Sequence, residues 1–364
     1  MKFQDEYRDR ELVQGLAAAI ADEAKLLPEP VRFMEVCGTH TMAIAQFGLK
    51  SLLPANVRLV SGPGCPVCVT PVSYIDHAVS LSALPDTIIA TFGDLLRVPG
   101  SHSSLMTVRA QGADVRIVYS PLDAVKLAVE YPQQRVVFLG VGFETTTPTV
   151  AAAILSAQRA GLNNFFVLTS HKTMPGPMAA LSANPELKIK GYICPAHVST
   201  VIGEVAYQSL SAQYGIPCVV TGFEPADVLQ GVLMLVRQCC SGLARVENQY
   251  IRAVSQLGNL KAQALITELF EPCDSIWRGL GMIPGSGLTL REEFYGFDAA
   301  RMLPVELPDA VEPVGCRCGD VLTGRITPVE CPLFGAVCTP EMPVGACMVS
   351  SEGSCAAAWR YGTE

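Results

Sequence analysis

The stretch Val136-Val137-Phe138-Leu139-Gly140-Val141-Gly142-Phe143-Glu144 passes from a β-branched apolar run through Gly-Phe-Glu into a helix-like segment. Later in the chain, Cys218-Val219-Val220-Thr221-Gly222-Phe223-Glu224 repeats the same passage. A short apolar run, a turn and a longer helical segment form the unit of a parallel sheet covered by helices. Two units with one signature predict an α/β protein made of two related parallel-sheet lobes around a cleft.

The same alternation extends over the chain from about Val31 to Gly222. It supplies more strands than one small sheet needs, so we predict two sheets. After Pro225 the sequence predicts helices to about Phe270. The clearest helices are predicted over Ala226–Gln238 and Ile251–Leu257. The predicted strands are Arg32–Val36, Val57–Ser61, Thr87–Phe92, Val115–Tyr119, Arg135–Val141, Phe165–Thr169, Tyr192–Cys194 and Cys218–Thr221.

A chain of 364 residues exceeds the size at which one core usually stops growing, so two or three domains are expected. We place a first α/β lobe at 1–120 and a second at 121–245. A helical linker and a small loop-rich domain take 246–364. Beyond Pro304 the sequence is rich in Pro, Gly and Cys, which is typical of a domain held together by metal.

Composition excludes several classes of partner. The net charge is −8, from 26 Lys and Arg against 34 Asp and Glu, and no long basic run occurs, which argues against nucleic acid. The charged amino terminus does not resemble a signal peptide, and no stretch approaches 18 apolar residues, so we expect a soluble cytoplasmic protein without membrane association. In that reducing compartment, 14 cysteines indicate metal or redox chemistry, although some serve packing.

Six cysteines fall in the last 49 residues, and Cys318, Cys331, Cys338 and Cys355 have the spacing Cys-x12-Cys-x6-Cys-x16-Cys. Thiolates on loop-rich backbone are typical of iron–sulfur clusters. Zinc sites favour Cys pairs separated by two to four residues, whereas Cys316-Arg317-Cys318 has one intervening residue. These four cysteines therefore predict a [4Fe-4S] cluster, with Cys316 and Cys347 as alternate ligands. Zinc and plain packing are the alternatives.

Cys37 ends a predicted strand, and a helix is predicted from near Thr41. A sulfur near a helix amino terminus favours the thiolate, the form that binds metal. His40 lies three residues on and has three candidate roles: a metal ligand, a hydrogen-bond partner of the sulfur, or a helix cap. The alternative for Cys37 is a structural cysteine.

Cys65-Pro66-Val67-Cys68 follows a strand and precedes a helix-like segment over Val72–Leu84, the position of thioredoxin-type redox pairs. We predict a dithiol that cycles with a disulfide. The alternatives are two ligands of a metal site and an inert pair.

Three further side chains follow predicted strands and are candidates for the cleft. Glu144 and Glu224 stand at strand-to-helix junctions, where open α/β sheets carry their sites. His197 is a candidate ligand or proton carrier, whereas His171 is more simply a structural histidine. The turn at 140–148 lacks the Lys of a P-loop and the third Gly of a dinucleotide fingerprint, so it is weak support for nucleotide binding.

Several long motifs together resemble the HypD family of hydrogenase maturation factors nearly from end to end. They are Glu35-Val36-Cys37-Gly38-Thr39-His40, Gly62-Pro63-Gly64-Cys65-Pro66-Val67-Cys68, Thr91-Phe92-Gly93-Asp94, Arg97-Val98-Pro99-Gly100, Gly142-Phe143-Glu144-Thr145-Thr146, Val246-Glu247-Asn248-Gln249-Tyr250, Cys331-Pro332-Leu333-Phe334-Gly335 and Met348-Val349-Ser350-Ser351-Glu352-Gly353.

The resemblance implies a cytoplasmic scaffold on which the Fe(CN)2CO group of [NiFe]-hydrogenase is assembled. It implies a complex with the small chaperone HypC, cyanide delivery from HypE, and a [4Fe-4S] cluster in a third region. The source of CO, the order of ligand attachment and any direct use of nucleotide stay open.

Carried over residue by residue, the resemblance makes Cys37 the anchor of a transient Fe(II) that carries cyanide and CO, with a second thiolate from the chaperone. Cys65 and Cys68 become the redox pair, able to exchange electrons with the cluster. The candidates for orientation or proton handling are Glu35, His40, Asp94, Glu144, His197 and Glu224. Two rival functions stay open: an iron–sulfur thiol–disulfide oxidoreductase without a second iron, and a structural partner whose cluster only stabilises the last domain.

Overall fold

A computed structural model describes residues 5–362 of the chain. Within this range the strands form two sheets. The strands are β1 (Val31–Glu35), β2 (Val57–Ser61), β3 (Thr87–Thr91), β4 (Asp114–Ile117), β5 (Arg135–Gly142), β6 (Phe165–Lys172), β7 (Gly191–Cys194), β8 (Cys218–Val220), β9 (Val246–Asn248), β10 (Phe270–Trp277) and β11 (Gly281–Leu290).

The first sheet has the order β2-β1-β7-β8-β9, and all its neighbouring strands run parallel. Because parallel strands share one direction, their carboxyl ends meet at the same edge of the sheet, where α/β proteins carry their sites. The turns that follow β1, β2, β7 and β8 are therefore neighbours. These turns contain Cys37, the Cys65–Cys68 pair, His197 and Phe223.

The second sheet has the order β10-β11-β6-β5-β3-β4. Strands β3, β4, β5 and β6 pair in parallel, whereas β11 pairs antiparallel with both β6 and β10. The prediction of an α/β fold with two sheets is confirmed. The second sheet is mixed because a hairpin from late in the chain extends its edge.

Helices lie between most of the strands. They are α1 (Arg10–Glu23), α2 (Gly38–Gln46), α3 (Val72–Ser82), α4 (Leu105–Ala110), α5 (Pro121–Glu130), α6 (Thr147–Arg159), α7 (Pro175–Ser182), α8 (Ala196–Ile202), α9 (Gln208–Tyr214), α10 (Pro225–Ser241), α11 (Leu260–Leu269), α12 (Ala299–Met302), α13 (Cys318–Leu322), α14 (Ala346–Val349) and α15 (Ser354–Tyr361). Short 3-10 helices are Asp5–Arg8, Ala24–Leu26, Leu49–Leu52, Gly93–Arg97, Pro185–Leu187, Glu204–Tyr207, Glu292–Phe297 and Pro328–Glu330.

The predicted strands are confirmed to within a few residues, and helix α10 confirms the prediction over Ala226–Gln238. The helix predicted over Ile251–Leu257 is wrong, because those residues form turns. Three strands were not predicted: β9 is three residues long, and β10 and β11 contain Pro272, Pro284 and several glycines that disguise them.

The two sheets do not coincide with the predicted lobes at 1–120 and 121–245. The first sheet takes β1 and β2 from the first segment and β7 and β8 from the second, while the second sheet takes β3 and β4 from the first and β5 and β6 from the second. Residues 246–302 do not form a helical linker either, since they add β9 to one sheet and β10 and β11 to the other. Only from Leu303 onward is the chain loop-rich.

The two faces of each sheet are set by alternation along the strands. In the first sheet Phe33, Ile193 and Val219 pack against α1 and α10. Met34, Tyr192 and Val220 point to the other face. That second face belongs to a core shared with the second sheet and the loop-rich region; it also includes Phe143, Trp277, Cys318 and Cys347.

This shared core explains how residues distant in sequence reach one place. It packs the end of β5, the tip of the β10–β11 hairpin and the cysteine-rich segment against one face of the first sheet. Among residues 5–362, no helix combines the length and apolar character needed to cross a membrane.

Candidate functional site

Cys37 directly follows β1 and is the residue that precedes the first turn of α2. Its side chain is 6% exposed. The Gly62-Pro63-Gly64 turn after β2 lies against it: a Cβ on Gly64 would stand 2.1 Å from the Cys37 nitrogen, and the Gly38 N–H donates to the Gly64 carbonyl at 3.1 Å. Only glycine allows this approach of two backbones. The glycine therefore brings the Cys65 turn to Cys37.

Glu35 fixes the start of α2 through two hydrogen bonds. Its carboxylate accepts a hydrogen bond from the Cys37 N–H at 3.1 Å and another from the Thr41 hydroxyl at 2.5 Å. Burial raises the pKa of Glu35 to about 8, and these hydrogen bonds oppose that rise. Near neutral pH Glu35 can therefore carry or release a proton beside Cys37.

The Cys37 sulfur is not an activated thiolate in the free protein. Burial raises the pKa of Cys37 to about 12, and the negative charge of Glu352 acts in the same direction. Hydrogen bonds from the backbone N–H groups of His40 and Thr39 oppose the rise. The hydrogen bonds at the helix amino terminus lower the pKa of Cys37, but burial outweighs them. A bound cation would favour the thiolate form.

His40 has one nitrogen engaged and one without a partner. Its Nε2 lies 2.9 Å from the Gly222 carbonyl and 2.9 Å from the Thr221 hydroxyl. Nδ1 is buried and has no hydrogen-bond partner. Burial lowers the pKa of His40 to about 4, so the ring is neutral near pH 7. Donation from Nε2 to the carbonyl leaves a lone pair on Nδ1, available to accept a proton or bind a metal.

Phe223 joins the two candidate histidines. Its ring centroid lies 4.7 Å from that of His40 and 4.4 Å from that of His197. His197 is less buried than His40; burial lowers its pKa, and the charge of Glu352 opposes this. Four of the predicted site residues, Glu35, Cys37, His40 and His197, therefore lie at one edge of the first sheet, and their roles stay predictions.

Glu352 was not among the predicted site residues. Its carboxylate accepts a hydrogen bond from the Thr39 hydroxyl at 2.7 Å. A Cβ on Gly38 would lie 2.5 Å from the Glu352 Cβ, so this glycine is what allows the segment to dock on α2. Glu352 stands in a motif that carried the family resemblance, which was the available signal.

Cys65 and Cys68 form a disulfide in a turn buried in the shared core. The Cys68 N–H donates to the Cys65 sulfur at 3.2 Å. The Ser350 hydroxyl lies 3.3 Å from the same sulfur and also accepts from the Glu352 N–H at 3.3 Å. One short segment, 350–352, therefore contacts both the disulfide and the start of α2.

The six carboxyl-terminal cysteines line one small cavity together with Val321, Leu333, Phe334, Gly345 and Met348. Sulfur atoms of Cys318 and Cys347 lie 3.1 Å apart, and the Val344 N–H donates to the Cys338 sulfur at 3.3 Å. Within the described residues, no three His, Cys, Asp or Glu side chains converge as they would on a single bound ion. The thiols instead surround a space.

These thiols influence one another. Burial raises the pKa of Cys316 to about 12, with the neighbouring Cys318 acting in the same direction. Burial also raises the pKa of Cys355, and Cys318, Cys316, Cys338 and Cys331 add to the rise. Soft sulfur donors crowded in an apolar cavity fit an iron–sulfur cluster. All six line the cavity, so the choice of Cys318, Cys331, Cys338 and Cys355 as ligands stays a prediction.

The remaining candidates have other surroundings. Glu144 is buried at the end of β5; one carboxylate oxygen accepts from the Met174 N–H at 2.9 Å and the other has no partner. Glu224 caps α10 and forms an ion pair with Arg8. Asp94 is exposed in the 3-10 helix that follows β3 of the second sheet, away from the strands that carry Cys37 and His197.

Known proteins resemble this chain over its whole length. The HypD family model, described as the hydrogenase formation hypA family, matches residues 11–362. A hydrogenase maturation factor HypD of Azotobacter vinelandii is 51% identical, covering 100% of this chain and 98% of that protein. HypD of Rhizobium leguminosarum bv. viciae is 49% identical over 100% and 96% of the two chains, and HypD of Escherichia coli K12 is 47% identical over 99% and 98%.

Proposed function

The chain belongs to the HypD family of hydrogenase maturation factors, and from this premise we propose that it is the scaffold on which iron acquires cyanide and CO to form Fe(CN)2CO. Its cargo is iron, its anchor is Cys37, and a redox-active dithiol with a [4Fe-4S] cluster supplies electrons. One observation carries the proposal: segment 350–352 contacts both the Cys65–Cys68 disulfide and the helix that starts after Cys37.

Cys37 is suited to anchor iron because its side chain is buried and its thiolate is a soft anionic ligand. Burial keeps the free side chain protonated, so iron must displace that proton when it binds. Glu35 lies next to the Cys37 backbone, and its ionised form is the proposed proton acceptor. Burial raises its pKa to about 8, so this transfer should become easier as the pH rises through 8. The buried Nδ1 of His40 is a second acceptor nearby.

The Cys65–Cys68 disulfide is the proposed electron store. Its reduction breaks the sulfur–sulfur bond and takes up two electrons and two protons to give two thiols. The backbone of this turn contacts Cys37 through Gly64, and the Cys65 sulfur lies 3.3 Å from the Ser350 hydroxyl. Electrons delivered to this turn therefore reach the neighbourhood of the iron anchor.

The cluster would be held by Cys318, Cys331, Cys338 and Cys355, with Cys316 and Cys347 as alternates from the same cavity. When bound, it supplies one-electron redox chemistry. Burial in an apolar cavity excludes water from these thiols, and the segment that follows Cys347 leads directly to Ser350 beside the disulfide.

We propose a cytoplasmic complex with the small chaperone HypC, which contributes the second thiolate to iron, and with HypE as the cyanide donor. The support is the family membership together with the incomplete ligand set. Among the described residues in the segments that immediately follow the strands of the first sheet, Cys37 is the only cysteine outside the disulfide. A partner thiolate completes the soft ligands.

The test is anaerobic purification of the complex with HypC, followed by infrared spectroscopy in the cyanide and CO stretching regions. We expect these bands in the native complex, their loss in Cys37→Ala, and their retention in the matched variant Cys240→Ala, whose thiol lies on α10. Bands that persist unchanged in Cys37→Ala would show that the iron is bound elsewhere.

The rival function is an iron–sulfur thiol–disulfide oxidoreductase without a second iron. Iron content separates the two. In a variant whose cluster ligands are replaced, the scaffold retains iron on Cys37 when HypC is present, whereas the oxidoreductase retains none.

A further inference from the structure

Arg278 stands at the tip of the β10–β11 hairpin, between the disulfide turn and the cysteine cavity. Its N–H donates to the carbonyl of Val69, the residue after Cys68, at 2.8 Å. The next residue, Gly279, has its backbone against Gly319, which follows Cys318; a Cβ on Gly279 would lie 2.3 Å from the Gly319 Cα. The hairpin tip is thus fixed to both sulfur sites through its backbone.

The Arg278 guanidinium is buried and incompletely paired. The side chain is 3% exposed. Its Nε donates to Glu312 at 3.2 Å, but both terminal nitrogens, Nη1 and Nη2, are buried without a hydrogen-bond partner. A buried guanidinium that lacks acceptors is costly, because its charge has lost water and gained little in return. A bound group that accepts hydrogen bonds from Nη1 and Nη2 would explain why this guanidinium is buried.

The cysteine cavity is the place for that acceptor. Gly279, the residue after Arg278, packs its backbone against Gly319, and Gly319 follows Cys318, whose side chain lines the cavity. Other described charges near this end of the cavity are Glu312, which is 60% exposed, and Arg317, which is 51% exposed and paired with Asp320.

We propose that Arg278 is a positioning residue for the bound iron–sulfur cluster: its terminal nitrogens donate to the cluster's sulfur atoms on the Cys316–Cys318 side, and its fixed charge favours the reduced cluster. Sulfur acceptors would satisfy the two orphaned nitrogens, and hydrogen bonds and local charge are established determinants of cluster potential. Because the Arg278 backbone N–H donates a hydrogen bond to the Val69 carbonyl, Arg278 would also fix the position of the cluster relative to the disulfide turn. This inference rests on the cluster of the proposed function.

The experiment is a reductive titration with dithionite of the anaerobic protein that holds its cluster, followed by electron paramagnetic resonance. Each reduced cluster takes up one electron, and Arg278 stays protonated. Arg278→Gln should lower the equilibrium constant for reduction about tenfold or more, a potential about 59 mV lower for a one-electron couple. Arg278→Lys keeps the charge but loses the fork of donors, so its shift should be smaller.

The matched control is Arg317→Gln, which removes the same charge next to Cys318 from an exposed side chain. A shift in Arg278→Gln no larger than in Arg317→Gln overturns the proposal. Removing the anionic partner should act in the opposite sense: Glu312→Gln should raise the potential, and the exposed Asp309→Asn should not. If Arg278→Gln fails to assemble its cluster, the Glu312→Gln and Asp309→Asn pair tests the proposal instead. An unchanged cluster potential in Glu312→Gln would then overturn the proposed role of Arg278.

The outcomes also separate this inference from the function beneath it. A native chain that takes up no cluster overturns both. If the native chain binds the cluster but the substitutions at Arg278 and Glu312 leave its reduction potential unchanged, only the role of Arg278 is overturned.

Discussion

The hydroxyl of Ser350 lies 3.3 Å from the sulfur of Cys65, although 285 positions separate the two residues. This contact joins the segment after Cys347 to the disulfide turn after β2. The same segment continues to Glu352, whose carboxylate binds Thr39 in the first turn of α2. The segment 350–352 therefore links the disulfide turn to the helix that starts after Cys37, the proposed iron anchor.

Ser350→Ala should make the Cys65–Cys68 pair harder to reduce. A hydroxyl forms a stronger hydrogen bond with a reduced Cys65 sulfur than with a disulfide sulfur, so its loss destabilises the reduced form. We expect the potential to fall by about 30 mV, which is roughly tenfold in the equilibrium constant of this two-electron couple. Thiol counting in glutathione buffers measures it. Ser351→Ala, an exposed neighbour, is the control, and equal potentials for the two variants would contradict the prediction.

Replacing a cavity cysteine should remove the cluster without unfolding the two sheets. Cys331→Ser should lower the content of iron and labile sulfide from about four of each per chain to near zero, because the cluster loses a thiolate. Loss of the bound cluster should also destabilise the loop-rich region, which has few periodic apolar runs of its own.

Cys239→Ser is the control for cluster content, since this cysteine lies on α10 away from the cavity. The comparison with Cys347→Ser tests the assignment of ligands. Cys347 was predicted to be an alternate, yet its sulfur lies 3.1 Å from that of Cys318. Full cluster content in Cys331→Ser would exclude it as a ligand, whereas loss in Cys347→Ser alone would exchange the two roles.

The apolar runs and turn signals predicted nearly every parallel strand and the positions of the turns that follow them. They did so because a buried parallel strand reads as a short β-branched run, whatever its partners. The same runs did not predict which strands pair. Strand β1 pairs with β7, which lies more than 150 residues away, and the residues of neither strand indicate this pairing.

The missed site residues have a similar explanation. Glu352 and Arg278 act through packing between segments that are distant in sequence, and each stands beside a glycine whose meaning appears only in three dimensions. Gly38 admits Glu352, and Gly279 admits the backbone of Gly319. The short-range spacing that identified the cysteines cannot predict close contacts between segments that are distant in sequence.

Glu144 should make stability depend on pH in a defined direction. Burial raises its pKa from 4.5 to about 7, so the folded protein binds this proton more tightly than the unfolded chain. Its stabilising contribution is complete below pH 4.5 and is lost as the pH rises through 7. Glu144→Gln stays neutral throughout, and keeps an oxygen for the Met174 N–H.

Relative to the native protein, Glu144→Gln should therefore gain about 3 kcal/mol in free energy of unfolding between pH 4 and pH 8. Urea unfolding at both pH values measures the change. Glu130→Gln, an exposed acid at the end of α5, should show little change. A difference between Glu144→Gln and native that is the same at both pH values would refute the raised pKa.

Gly64→Ala should separate the disulfide turn from the iron anchor. The added Cβ would lie 2.1 Å from the Cys37 nitrogen and 2.3 Å from the Val36 carbonyl carbon, both backbone atoms that cannot rotate away. The turn or strand β1 must shift, at a cost of about 3 kcal/mol in the free energy of unfolding.

The control is Gly15→Ala, which lies within α1 and has no atom near its added Cβ. It should instead gain about 0.5–1 kcal/mol in the free energy of unfolding. Gly64→Ala keeps Cys37, the Cys65–Cys68 pair and the six cysteines of the cavity. A loss of the cyanide and CO bands in this variant would therefore come from geometry alone. Native unfolding together with native bands would show that the close approach of Gly64 to Cys37 has no part in holding the iron.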